Sequence, residues 1–191
     1  MSLPTTRTHE WTRDGFYIST DPILLSPQAI NTAFASDALP WAKELTPEEL
    51  TVMINHSVCF GLYSATAEVA DTHTSPSTSS HPAHSEHAED PKPAQIGLAR
   101  LITDCTTMAY LTDVYVLPEW GGRGLGSWLV GCVREWWDEM PSGRRLLLIA
   151  SEGRGEEYYK GALGAGRLED ESAKGGERYR VFTARGRGVR V

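Results

Sequence analysis

The sequence predicts a mixed α/β domain, with a central, mostly antiparallel sheet flanked by helices. Three observations carry this. Short runs rich in β-branched and aromatic residues recur at residues 15–19, 58–63, 94–102 and 108–117, as strands do. One longer run, residues 125–140, instead places its apolar side chains at helical spacing. A further apolar run at 144–150 follows that helix, so antiparallel strands come first and a strand–helix–strand unit later.

The elements follow in chain order. After the first strand, Ser26-Pro27 opens a helix, with proline at the first helical position, where its missing N–H costs no bond. Ala29, Ile30, Ala33 and Phe34 give this helix its apolar face. Thr46-Pro47-Glu-Glu49 opens the second helix. Thr46 is a natural N-cap, and Glu49, three residues on, completes a capping box. The second, third and fourth strands follow, the fourth ending at Pro118, which cannot donate to a ladder. The central helix turns Leu125, Trp128, Leu129, Cys132, Val133, Trp136, Trp137 and Met140 to the core. Residues 156–163 form a short helix and 179–183 a late strand. Residues 66–93 interrupt the pattern. They are rich in Ser, Thr, Pro, Ala and His, and too poor in large apolar residues to offset their ordering entropy. They read as an insertion in the hairpin between the second and third strands, within one domain spanning residues 1–191.

Composition narrows the class. The 191 residues are 40% hydrophobic and 23% charged, ordinary for a globular domain. No run is apolar enough to span a membrane, and residues 1–13 lack the apolar stretch of a secretory signal. Cys59, Cys105 and Cys132 are odd in number and irregularly spaced, as expected of reduced core residues in a cytoplasmic protein. A net charge of −7 argues against a nucleic-acid partner and suits a cationic substrate such as an amine.

The most informative stretch joins the fourth strand to the central helix. Gly121, Gly122, Gly124 and Gly126 stand where the chain must turn and enter a helix, which leaves free backbone N–H groups at a positive helix end. No Gly-Lys-Ser/Thr triplet occurs, which excludes a Walker loop, and the glycines come too late in the chain for a Rossmann fingerprint. The string Val116-Leu-Pro-Glu-Trp-Gly121-Gly-Arg-Gly124-Leu-Gly126 resembles the acetyl-CoA motif of the GCN5-related N-acetyltransferase (GNAT) superfamily, in particular its small general-purpose members. It departs from that motif at Gly121, where the family carries Arg or Gln; Arg123 is placed to supply the charge instead.

The resemblance implies a GNAT-like acyl-CoA N-acyltransferase fold and an acetyl-CoA-dependent enzyme. Gly121, Gly122, Arg123, Gly124, Leu125, Gly126 and Ser127 would bind the diphosphate. The fourth strand would carry a bulge that splays it from the fifth, setting Val114, Tyr115 and Val116 along the pantetheine arm, with the N–H of Val116 or a neighbour facing the oxyanion. A tyrosine after the fifth strand would be the general acid. Tyr159 is chosen over Tyr158, although counting back from Gly164 by the family's spacing lands on Lys160. Asp113, an acid in an apolar strand, either serves the substrate amine or is held in a structural pair. Trp41 and His56 either face the acceptor or pack on the first two helices. The acceptor is a small-molecule or peptide amine.

Within the insertion, Ser80 could cap a short helix that brings His84 and His87 to one face. With His81 they could hold Zn²⁺ or Ni²⁺, even between two copies of the chain in a homodimer. The bland alternative is a solvated loop. The competing functional reading is a degenerate acetyltransferase fold used for binding or assembly.

Overall fold

The computed structural model describes residues 7–37, 39–64 and 93–168. Six strands lie in sequence order: β1 (Glu10–Arg13), β2 (Phe16–Ser19), β3 (Val58–Ser64), β4 (Ala94–Thr103), β5 (Met108–Val116) and β6 (Arg145–Leu148). All neighbours are antiparallel except β5 and β6, which are parallel because a helix carries the chain back between them. The helices are α1 (Pro27–Ala35), α2 (Pro47–Asn55), α3 (Leu125–Asp138) and α4 (Arg154–Leu163). Mixed α/β architecture and a mostly antiparallel sheet are therefore as the sequence predicts.

The caps act as their residue types dictate. The Ser26 side chain accepts from the N–H of Ala29, and Thr46 and Glu49 form the reciprocal capping box. Ser64 and Ala94 are register partners, so the chain leaves β3 and rejoins β4 at one point on the sheet. The insertion itself, with His81, His84 and His87, lies outside the described residues, as does the late strand expected at 179–183.

The sheet is covered on two sides. Phe60, Leu62, Leu101, Ala109 and Leu111 pack with Leu129, Val133 and Trp136 of α3. Cys59, Leu98 and Tyr115 pack with Ile30 and Phe34 of α1 and with Leu50 and Ile54 of α2. Two expectations need correction. First, residues 10–13 form an additional edge strand, joined to β2 by Asp14-Gly15, both at positive φ (51° and 79°) as a two-residue hairpin turn requires. Second, Cys105 sits at the margin of the core: it is half-buried in the turn after β4 at φ 55° and packs against the core from there, whereas Cys59 and Cys132 are buried. Trp41 is 51% exposed between α1 and α2, and His56 is the exposed C-cap of α2, its ring bonded to the Val52 carbonyl at 2.8 Å.

Candidate active site

β5 is where the sheet departs from regularity. Its register against β4 steps from Arg100↔Thr112 to Leu98↔Tyr115, so β5 carries one extra residue there. The extra residue is accommodated at Asp113, whose φ of 50° lies in the left-handed region that non-glycine residues rarely enter. Because side chains alternate along a strand, one extra residue exchanges the faces. Before the bulge, Ala109 and Leu111 pack with α3; after it, Val114 and Val116 do so, while Tyr115 packs with α1 and α2. Pairing between β5 and β6 runs from Met108↔Arg145 to Leu111↔Leu148 and ends there, before the bulge.

Asp113 is 7% exposed and is engaged by an ion pair: its Oδ2 accepts from Arg100 Nε at 2.7 Å. Arg100 Nη1 also donates to Ser57 Oγ at 3.0 Å, and the Thr112 hydroxyl donates to Asp113 Oδ1 at 3.2 Å. Of the two roles open to this residue from sequence, the contacts supply the structural pair. An ion pair this well covered is costly to break on one side only. Asp113→Asn should lower the unfolding free energy by about 2 kcal/mol, read by chemical denaturation, because it removes the counter-charge while keeping a polar group beside Arg100.

The glycine-rich loop follows a 3-10 turn over Pro118–Trp120. Gly122 and Gly124 adopt φ of 75° and 70°, and Gly124 is the N-cap of α3 with no side chain to cap it. The N–H groups of Leu125, Gly126 and Ser127 at the start of α3 thus have no intrahelical acceptor. Gly126 lets α4 approach closely: a Cβ there would stand 3.3 Å from Tyr158 Oη, a tight contact, and 3.9 Å from Val116 Cγ2, an ordinary one.

α4 brings up the two tyrosines, their rings edge to face at 4.9 Å. Burial raises the Tyr158 hydroxyl above its usual range, partly offset by a hydrogen bond with the Ser127 side chain. Burial, with Tyr158 as a smaller contributor, pushes the Tyr159 hydroxyl up to about 12. Both are therefore neutral O–H donors at physiological pH.

These three elements enclose a cavity of about 360 Å³, lined by Val114, Tyr115 and Val116 of β5, by Gly121, Gly122, Gly124, Leu125, Gly126 and Ser127 of the loop and α3, and by Tyr158 and Tyr159. Arg123 is exposed and stands outside the lining, its guanidinium 5.0 Å from the centre of the Trp120 ring. Tyr159 also borders a second cavity of about 430 Å³ along Leu146–Glu152 and the end of α4, so it stands between the two. Sequence reasoning missed Trp120 as a lining residue. Among the described residues no group of three or more His, Cys, Asp or Glu is placed to hold a metal, and no helix is long and apolar enough to cross a membrane.

No protein-family model matches the chain. Over 147 residues it is 37% identical to a protein of Gibberella zeae named "Putative acetyltransferase", covering 77% of this chain and 78% of the relative. Among solved structures, a "putative acetyltransferase belonging to the GNAT family" from Xanthomonas campestris pv. campestris matches with a TM-score of 0.55 at 28% identity, over 78% of this chain and 85% of that one. A "putative acetyltransferase" from Deinococcus radiodurans R1 matches with a TM-score of 0.54 over 91% of this chain and 92% of that one; at 18% identity the likeness is one of fold.

Proposed function

Because the chain belongs to the GNAT superfamily and is an N-acetyltransferase, we propose that it moves an acetyl group from acetyl-CoA to a primary amine by direct attack within a ternary complex. The observation that carries this reading is the convergence of an uncapped helix N-terminus, a bulged strand and two neutral tyrosines on one cavity of about 360 Å³.

The residues present fit the cosubstrate. Its diphosphate needs a concave, unobstructed set of N–H donors, and left-handed glycines followed by the open start of α3 provide them. The pantetheine arm is a chain of amides, and the β5 backbone beyond Leu111, where β6 no longer pairs with it, offers amides in return. When bound, acetyl-CoA supplies an activated acetyl thioester. The protein's part is to hold the acetyl carbonyl against a backbone N–H at Val116 or a neighbour, which stabilises negative charge as it develops. As the C–S bond breaks, Tyr159 gives its proton to the departing sulfur, and the proton that the amine nitrogen sheds on becoming an amide passes to solvent, which restores the Tyr159 hydroxyl. Its position between the two cavities supports this choice, and the bond between Tyr158 and Ser127 gives the neighbouring hydroxyl another task. The acceptor, a small-molecule or peptide amine, must arrive neutral for its lone pair to attack.

A panel of amines, polyamines, amino sugars and peptide N-termini, read by release of free CoA thiol, tests the assignment. At least one amine should accelerate release well above hydrolysis, with the acetylated product visible by mass. Uniform background rates across the panel would instead favour a binding or assembly role for the fold.

A further inference from the structure

The chain has glycine where the family motif carries Arg or Gln. Neither Arg123 nor Arg13 is among the cavity's lining residues, and Arg13 borders a separate cavity along the β1–β2 hairpin. A second guanidinium reaches the same loop from the other end of the sequence. Arg13 ends β1, immediately before the Asp14-Gly15 turn. Its guanidinium carbon lies 4.7 Å from the centre of the Trp128 ring, and Nη2 donates a long 3.5 Å bond to the Arg123 carbonyl. The same Nη2 stands 3.9 Å from the point where a Cβ on Gly124 would sit. Asp14 offers only a 3.9 Å contact to Nε, and its side chain is 87% exposed. On the next strand Phe16 meets Trp120 edge to face at 5.7 Å, so the hairpin braces the loop at two points.

The arrangement fixes a planar cation beside the N-cap of α3. The guanidinium carbon lies over the Trp128 ring, a cation–π contact that favours this position, and the long bond to Arg123 is its one hydrogen bond among the described residues. Donors held in place and still without acceptors are what bidentate phosphate recognition needs, at little further ordering cost.

We propose that Arg13 is a diphosphate clamp for acetyl-CoA, supplying a cation from the β1–β2 hairpin to the rim of a glycine loop that has no side chain of its own at Gly121. This rests on the acetyl-CoA reading above. The ligand atoms addressed are diphosphate oxygens, because the guanidinium borders the N-cap of α3.

The test is calorimetric titration of the parent, Arg13→Ala and Arg13→Lys with acetyl-CoA and with its 3′-dephospho form, together with turnover of S-acetylpantetheine, which has no diphosphate. Arg13→Ala should weaken both CoA forms by about tenfold or more, as for a lost charge-assisted bond, and leave S-acetylpantetheine turnover unchanged. Arg13→Lys should recover part of the affinity, keeping the charge without the planar fork. A defect that disappears with the 3′-dephospho form would overturn the proposal in favour of a 3′-phosphate contact. An equal defect with S-acetylpantetheine would reduce Arg13 to a brace for the loop and overturn it as well. A parent that binds acetyl-CoA while Arg13→Ala binds equally well overturns this proposal alone. A parent that binds neither CoA form removes the reading beneath it.

Discussion

Gly124→Asp should weaken acetyl-CoA binding at least about 10²-fold, the size expected when a like charge is set against a bound anion at several kcal/mol. Two effects act together. Gly124 holds φ at 70°, which an L side chain adopts only with strain, and it is the N-cap whose bareness leaves the first N–H groups of α3 open. An Asp side chain would fold back onto those groups as a cap and occupy the place proposed for the diphosphate. Gly124→Ala separates the causes. Its Cβ would meet Arg13 Nη2 at 3.9 Å, an ordinary contact, so it carries the strain without the charge or the cap. Equilibrium titration should rank parent, Ala and Asp in falling affinity. An Asp variant that binds as tightly as the parent would remove the diphosphate from this loop.

Tyr159→Phe should lower kcat about 10²-fold and leave acetyl-CoA affinity within a few-fold, as for loss of a general acid. Tyr158→Phe is the paired control. It should act mainly on the cosubstrate side, because its hydroxyl faces Gly126 and Ser127. The pH profile adds a second signature. A general acid works while protonated, and burial raises Tyr159 to about 12, so this group stays active as pH rises and is lost only near that value. No alkaline fall in kcat from this acid should appear below about pH 11. A fall near pH ~9 that persists in Tyr159→Phe would identify another acid. If only Tyr158→Phe lost turnover, the two roles would exchange.

Most of the architecture was legible because it is written in local chemistry. Ser26 and Thr46 act as caps wherever they precede a proline-led helix, and the spacing of Leu125, Leu129, Val133 and Trp136 marks a buried helix face without reference to anything distant. β1 was missed although a signal was present: Asp14-Gly15 between two β-prone runs is a hairpin turn, and the polar composition of residues 1–13 obscured it. The bulge at Asp113 was expected only from the family resemblance. A run of apolar and aromatic residues gives no local reason for a left-handed aspartate, and the ion pair that accompanies it comes from Arg100 on another strand. For the same reason the glycine loop was readable as a candidate site, and the contact that Arg13 makes with it was not. The motif is contiguous, whereas the Arg13 contact with Arg123 spans 110 positions and exists only once the hairpin is folded. Between the tyrosines sequence offered only spacing, which the extra residue before Gly164 had already broken.

Calorimetric titration of the full chain with acetyl-CoA, with Gly124→Asp run alongside, tests most directly the claim that the cavity between β5, α3 and α4 is an acetyl-CoA site. The parent should give a saturable isotherm with one site per chain, and the variant should give little or no heat over the same range. A parent that shows no heat, or a variant whose isotherm overlays the parent's, would contradict it.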